Sequence, residues 1–202
     1  MIIFLYGPDS FRARRFLKEM KEKFIREVDA NENSLDILDG QNVDLKLITE
    51  KINTGSLFAQ KRMLIIENLF NNKKVSIFKE LTSYLPKLEN RDDLIIIFKD
   101  SEIADKNLNT ESKKLFIFLK KQKFSQEFKN LTPAGLNNFI KKEAESYNKK
   151  ISQEVANKLM QQTNGDLWTV AQNIKKAALS SDKELIDLNT ISLYLTDKFT
   201  EN

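Results

Sequence analysis

The sequence predicts a three-layer α/β domain built on a five-stranded parallel sheet, followed by a small all-α domain. Five short apolar runs alternate with stretches of helical period in the first two-thirds of the chain, and strict alternation of this kind is typical of right-handed βαβ units. After Phe128, amphipathic helices follow one another without a further strand of convincing length. The boundary is therefore placed near residue 131, between domains 1–131 and 132–202.

The five predicted strands differ in how their apolar residues are distributed. They are Ile2–Tyr6, Leu35–Leu38, Met63–Ile66, Leu94–Phe98 and Phe124–Phe128. The first, third and fourth are continuous apolar runs, as expected of strands that helices cover on both faces. The fifth alternates and is more typical of an edge strand. Stretches of helical period connect the strands, with apolar residues starting at Phe11, Leu45, Val75 and Leu115.

Capping residues mark four helices in the second domain. Thr132, Ser152, Asp166 and Asn189 each stand at the start of an amphipathic stretch. These residue types are preferred N-caps because their side chains accept hydrogen bonds from free backbone N–H groups. Gly165 is expected to supply the left-handed residue that ends the second of these helices.

The composition excludes most familiar catalytic devices. With 0 Cys and 0 His among 202 residues, the chain cannot form a disulfide framework, a Cys/His zinc site, a thiol nucleophile or a Ser-His-Asp triad. Its longest apolar runs fall well short of the roughly 20 residues that span a bilayer. The first residues, MIIFLYGPDS, form too short an apolar stretch for a signal peptide and include no basic residue. We therefore expect a cytoplasmic protein with no membrane partner.

Basic residues are concentrated in the first predicted helix. The chain carries 33 basic and 29 acidic side chains, and between Arg12 and Arg26 seven basic residues stand against two acidic ones. Such a face is suited to phosphates or an acidic partner. A solvated helix face is the simpler interpretation, because a net charge of +4 is far below that of dedicated nucleic-acid-binding proteins.

The first strand enters the first helix where nucleotide-hydrolysing α/β proteins carry a phosphate-binding loop, but the determinants of that loop are missing. Gly7 matches the first glycine of the pattern GxxxxGK[ST], whereas Arg12, Ala13 and Arg14 replace the second glycine, the lysine and the hydroxyl residue. Without that lysine and hydroxyl, the phosphates and Mg²⁺ lose their ligands. Glu67 is a lone carboxylate at the end of the third strand. We therefore predict no cofactor, no metal site and no catalytic residue.

Two adjacent apolar residues stand out in the link between the second helix and the third strand. Leu57 and Phe58 follow Ser56, and on a short helix or loop both cannot readily point into the same core. Displayed outward, they would form an apolar plug, in which burial of one side chain contributes roughly 1.5–3 kcal/mol. The alternative is that Phe58 packs beneath the edge of the sheet while Leu57 packs at the end of the helix.

Five segments stand in an order and spacing that point to one family. They are FLYGPDSFRARRFLKEM, GSLFAQKRMLIIENL, DDLIIIFKD, EFKNLTPAGLNNFIKKEA and KISQEVANKLMQQTNGDLWTVAQNIKKAAL. Together they resemble the delta subunit of the bacterial DNA polymerase III clamp loader, within the AAA+ superfamily. The likeness covers nearly the whole chain, and its second domain resembles the small lid domain of AAA+ proteins.

The resemblance implies a subunit that does not hydrolyse ATP and that acts on a protein partner. In this family a Ser-Leu-Phe element inserts its apolar pair into a pocket of the β sliding clamp and helps to open the ring. That element falls on Ser56, Leu57 and Phe58. Other clamp-loader subunits are expected as partners through a helical collar domain, which is expected to be absent here, and DNA is expected as an indirect partner through the assembly.

Two other functions stay open at this point. The first alternative is an active ATPase with a divergent loop, which ATP hydrolysis or tight nucleotide binding by the purified chain would support. The second is a direct DNA-binding protein, in which Arg12, Arg14, Arg15 and Lys18, or the helix pair around Gly165, contact phosphates. Such binding weakens steeply with salt.

Overall fold

The computed structural model describes residues 1–28, 33–53 and 61–195 of the chain. The chain divides into two compact units, Met1–Lys129 and Asn130–Asn202, close to the boundary that the sequence predicts at residue 131. Within the described ranges, no helix is long and apolar enough to cross a membrane.

The first unit alternates strands and helices along the chain. Its strands are β1 (Ile2–Tyr6), β2 (Leu35–Asp39), β3 (Arg62–Glu67), β4 (Leu94–Lys99) and β5 (Phe124–Glu127). Its α-helices are α1 (Ser10–Glu27), α2 (Leu45–Asn53), α3 (Val75–Tyr84) and α4 (Thr110–Lys120). Short 3-10 helices occupy Leu69–Asn71, Leu85–Leu88 and Asp105–Asn107. The predicted α/β architecture is confirmed, and the five predicted strands are all present.

The five strands form one parallel sheet in the order β2-β3-β4-β1-β5. Its three inner strands are the three continuous apolar runs of the sequence. All five residues of β1 are buried, because a strand between two layers of helices has no solvent face. The alternating strand β5 lies at one edge, as its pattern predicts.

Helices cover both faces of this sheet. Side chains of α2, α3 and α4 pack with Phe4 and Phe98 in one buried cluster. Side chains of α1 pack with Ile3 and Leu5 in a second cluster. Neighbouring residues of β1 thus join different clusters because successive side chains of a strand point to opposite faces of its sheet.

The second unit consists of short helices and one small strand pair. Its elements are α5 (Pro133–Glu145), β6 (Lys150–Ile151), α6 (Gln153–Thr163), α7 (Leu167–Leu179), β7 (Leu185–Ile186) and α8 (Leu188–Ser192). The predicted caps Thr132, Ser152 and Asp166 accept hydrogen bonds from the backbone N–H groups of Gly135, Val155 and Thr169, respectively. The parallel pair of β6 and β7 escaped the sequence analysis because a two-residue strand is too short to show a periodic pattern.

One predicted helix terminus is confirmed with an addition, and another is wrong in detail. Gly165 is left-handed as predicted, with a φ of 74°, and Asn164, the C-cap of α6, is left-handed as well, with a φ of 50°. Helix α8 starts after Asp187 rather than at Asn189, because the Asp187 carboxylate accepts from the N–H and hydroxyl of Thr190. Leu193 follows this short helix as its C-cap and is 77% exposed.

Candidate functional site

The loop between β1 and α1 lies tightly against the end of β5. Gly7 has a φ of 125°, and the Asp9 N–H donates to the Phe128 carbonyl at 3.0 Å. A Cβ atom on Gly7 would stand 2.5 Å from the same carbonyl oxygen. The glycine is therefore required by the close approach of two backbone segments.

The N-terminus of α1, where a phosphate would bind, is occupied by a carboxylate of the chain itself. Asp9 is the N-cap, and its Oδ1 accepts from the Arg12 N–H at 2.9 Å. Its Oδ2 accepts from Arg12 Nε at 2.5 Å, and the residue is only 6% exposed. Because helix N-termini attract anions, this buried carboxylate takes the place that a nucleotide phosphate would need.

The three residues that replace the phosphate-loop determinants have different environments in α1. Arg12 is turned toward Asp9, and its Nη2 donates to the Lys129 carbonyl. Ala13 is buried in the core. Arg14 lies with its Nη2 3.8 Å from Glu67 Oε2. None of the three offers the ammonium or hydroxyl group that phosphate and Mg²⁺ binding requires.

Glu67, the acidic residue at the end of β3, is held between two cations. Lys99 Nζ from the end of β4 lies 3.7 Å from Glu67 Oε2, the same oxygen that Arg14 approaches. The Lys99 side chain is only 8% exposed, and Glu67 is its carboxylate partner. Within the described part of the chain, no group of three or more acidic residues is able to hold a metal ion.

Asp100, directly after β4, was missed by the sequence analysis. Its Oδ1 accepts from the Phe70 N–H at 3.0 Å, whereas its buried Oδ2 has no hydrogen-bond partner among the described residues. Burial raises the pKa of this carboxyl to about 7, against the opposing effect of the backbone hydrogen bonds from Phe70 and Leu69. A charged residue that follows a buried strand is the sequence signal for such a group.

We expect Asp9→Ala to lower the free energy of unfolding by about 1–2 kcal/mol, because the first turn of α1 loses its cap and Arg12 loses a buried partner. Urea unfolding followed by circular dichroism measures this change. Asp9→Asn is the matched control, since it keeps an oxygen for the Arg12 N–H, and it should cost less. Equal stability of Asp9→Ala and the parent would contradict the capping role.

The predicted clamp-binding residues Ser56, Leu57 and Phe58 lie outside the described residues, in segment 54–60. This segment joins the end of α2 to the start of β3. The helix before this segment and the strand after it both contact β2 through Asp36. Its Oδ1 lies 2.8 Å from Lys51 Nζ, and its Oδ2 lies 3.1 Å from Arg62 Nη2. All strands of a parallel sheet begin at the same end of the sheet. β3 therefore starts at the end opposite the Gly7 loop, which follows the last residue of β1.

Comparison with known proteins gives one family match and several structural matches. Residues 4–129 match the family described as "DNA polymerase III, delta subunit". That span is more than half of the 202 residues. No curated protein matches the chain significantly.

Three solved structures illustrate the likeness in fold. The Bacillus subtilis DNA clamp loader delta protein YqeN has 21% identity and a TM-score of 0.60, with 95% of this chain and 57% of that chain covered. The Thermotoga maritima RuvB Holliday junction branch migration motor has 10% identity and a TM-score of 0.60, covering 95% and 60%. Domain III of the Thermotoga maritima replication initiation protein DnaA has 15% identity and a TM-score of 0.54, covering 96% and 82%.

These structures show that the chain has an AAA+-like fold. The chain spans 57% of the length of the clamp loader delta protein. The family match is of a different kind, because it recognises the sequence over more than half of the chain. The protein therefore belongs to the DNA polymerase III delta subunit family, whose members are subunits of the clamp loader.

Proposed function

We propose that the chain is a non-hydrolysing clamp-loader subunit that binds the β sliding clamp and helps to open the ring, so that DNA enters it during replication. The family match over residues 4–129 is the observation that carries this proposal. The other clamp-loader subunits are the second class of partner, and DNA is reached through the assembly.

The proposed lack of ATP hydrolysis rests on the start of α1. A phosphate would have to displace the Asp9 carboxylate from the helix N-terminus and separate it from Arg12. Glu67, which lies at the end of β3, is engaged with Arg14 and Lys99 rather than free to activate water. ATP turnover by the purified chain would contradict this part of the proposal and favour the divergent ATPase.

The proposed clamp contact is the apolar pair Leu57-Phe58, preceded by Ser56. Two large apolar side chains that enter one pocket together are typical of an interface hot spot. The elements on either side of segment 54–60 are fixed to the neighbouring strand β2, because Lys51 of α2 and Arg62 of β3 both form ion pairs with Asp36.

Leu57→Ala with Phe58→Ala is expected to weaken binding to the β sliding clamp of the same organism by about 100-fold, which is about 2.7 kcal/mol. The reason is the loss of two buried side chains at the centre of the contact. Calorimetric titration of clamp with parent and variant measures the difference. Undiminished binding by the variant would refute the assignment of these residues.

The matched control is Leu47→Ala with Val75→Ala. Both residues belong to the same unit and are exposed, at 36% and 49%, so the substitutions remove exposed apolar side chains outside segment 54–60. This control should bind the clamp like the parent. An equal loss in both double variants would indicate a general effect on the fold and not a specific contact.

Direct DNA binding through α1 is less well supported than the sequence suggests. Three of its cations have carboxylate partners on the same helix or at its cap, at 2.5 Å for Arg12, 3.5 Å for Lys18 and 3.3 Å for Arg26. A fourth, Arg14, faces Glu67. Pairing of this kind reduces the net field that a phosphate backbone would meet.

A further inference from the structure

An open cavity of about 490 Å³ lies at the end of the sheet where its strands begin. The starts of β1, β4 and β5 line it, together with the turns before β4 and before β5. Lys61, the residue directly before β3, also lines it. The Met1 amino group donates to the Leu94 carbonyl at 2.6 Å, which joins the starts of β1 and β4. We call this cavity the strand-start pocket.

Part of the lining is apolar and open to solvent. Phe124 at the start of β5 is 45% exposed, and Met1 is 37% exposed. Ile95, the second residue of β4, also lines the pocket and is half-buried. Large apolar side chains that line a recess at the surface are typical of a site that receives a side chain of a protein partner.

Charged residues accompany these apolar side chains. Three cations and two carboxylates line the pocket: Lys61, Arg91, Lys123, Glu89 and Asp92. The Glu89 carboxylate accepts a hydrogen bond from the Gln122 side chain at 3.2 Å. Lys61 and Lys123 are exposed, and Lys123 Nζ lies 5.4 Å from the centre of the Phe124 ring. An aromatic ring with an adjacent ammonium group suits a partner segment that carries an apolar side chain next to a carboxylate.

The strand-start pocket is close along the chain to the proposed clamp contact. Lys61 is three residues after Phe58, so the Cα atoms of these two residues are separated by at most about 11 Å. A protein partner that contacts Leu57-Phe58 therefore comes within reach of the pocket.

The area of the proposed clamp contact also calls for neighbouring surface. A stable protein interface buries about 800 Å² on each partner, whereas one aromatic side chain buries about 150–250 Å². Leu57 and Phe58 together supply at most about 500 Å². The remaining area has to come from surface beside segment 54–60, and the pocket that begins at Lys61 is such a surface.

We propose that the strand-start pocket is a second contact with the β sliding clamp and that it receives an apolar side chain of the clamp flanked by a carboxylate. This inference rests on the proposed function, because the clamp is the partner of Leu57-Phe58. Phe124 provides the apolar contact, and Lys61 and Lys123 provide the charged one. An apolar centre with a charged rim is the usual composition of a protein interface.

The test is a surface plasmon resonance titration of the β sliding clamp of the same organism with the parent, Phe124→Ala, and Lys61→Gln with Lys123→Gln. Phe124→Ala should weaken binding by about 10-fold, because an aromatic anchor is lost. The lysine variant should associate about 3-fold more slowly at low salt, and this difference should vanish near 1 M salt, where the Debye length is about 3 Å. Circular dichroism verifies that the variants keep the fold.

Each pocket variant has a matched control. Ile37→Ala is the control for Phe124→Ala, since Ile37 is 50% exposed on β2, the opposite edge strand of the sheet. Lys175→Gln with Lys176→Gln is the control for the lysine variant, because it removes the same charge from two exposed lysines of α7. Both controls should bind the clamp like the parent. Equal losses in the pocket variants and their controls would overturn the proposal.

The double variant Leu57→Ala with Phe58→Ala separates this inference from the proposed function. If the parent does not bind the clamp, both are refuted. If that double variant loses binding while both pocket variants bind like the parent, the pocket contact alone is overturned. Tighter clamp binding by the pocket variants would also overturn it, because the pocket would then compete with the clamp. So would an effect of these variants on binding to duplex DNA without any effect on the clamp.

Discussion

Gly7→Ala is expected to lower the free energy of unfolding of the first unit by about 4 kcal/mol. The φ of 125° at this position is strained for any residue with a Cβ atom, at a cost of about 1–3 kcal/mol. The added Cβ would also lie 2.5 Å from the oxygen and 2.9 Å from the carbon of the Phe128 carbonyl. Relief of that overlap requires a backbone shift at the sheet edge, which adds about 1–3 kcal/mol.

Urea unfolding measures the loss, and hydrogen exchange of the β1 and β5 amides locates it in the first unit. Gly135→Ala is the matched control, because the new Cβ there would meet the Thr132 side chain at 3.3 Å rather than backbone. That variant should stay within about 1 kcal/mol of the parent. A Gly7→Ala protein as stable as Gly135→Ala would show that the loop adapts and that Gly7 is not required by the close approach.

Asp100→Asn is expected to remove a large pH dependence of stability. In the folded protein, the pKa of Asp100 is about 7, whereas its ordinary value is 3.8. The stability associated with the protonated carboxyl is therefore fully present below about pH 4 and is lost as the pH rises to about 7. Each pKa unit corresponds to about 1.4 kcal/mol. From about pH 5 to pH 8, the free energy of unfolding of the variant should therefore rise by about 3 kcal/mol relative to that of the parent.

This prediction is tested by how the difference in free energy of unfolding between Asp100→Asn and the parent changes with pH, and not by the absolute size of that difference. The Asn amide keeps an oxygen for the Phe70 N–H, but its NH₂ group takes the place of an oxygen that has no partner, which adds a constant cost at every pH. Asp93→Asn is the control, because the hydrogen bond from Arg91 lowers the pKa of Asp93 below its ordinary value. The difference in free energy of unfolding between Asp93→Asn and the parent should not change between about pH 5 and pH 8. If the difference for Asp100→Asn is also independent of pH, the raised pKa is contradicted.

The sheet illustrates what periodicity alone is able to predict. The continuous apolar runs of β1, β3 and β4 identify strands that are covered on both faces, and they are the three inner strands. The alternating run of β5 identifies an edge. These predictions succeed because the side-chain pattern of a strand depends on which faces meet solvent. The strand order along the sheet carries no such local pattern and was not predictable.

The cations of α1 illustrate a signal that is present in the sequence but ambiguous. This helix carries more basic than acidic residues, which makes it a candidate for phosphate binding. In the structure, Arg12 lies beside Asp9 and Arg14 lies beside Glu67. The contact between Arg14 and Glu67 joins residues that are remote in sequence and depends on the fold, so counting charges along one helix misjudges its field.

By itself, the sequence determined the fold class, the strands, most helix caps and the loss of the phosphate-loop residues, because each of these depends on neighbouring positions. Only the tertiary structure decided that Asp9 fills the anion site of α1, that Lys99 and Arg14 hold Glu67, and that Asp100 is buried with a raised pKa. Glu67, Arg14 and Lys99 come from elements that are remote in sequence, and the environments of Asp9 and Asp100 depend on burial against such elements and on distances of a few ångströms.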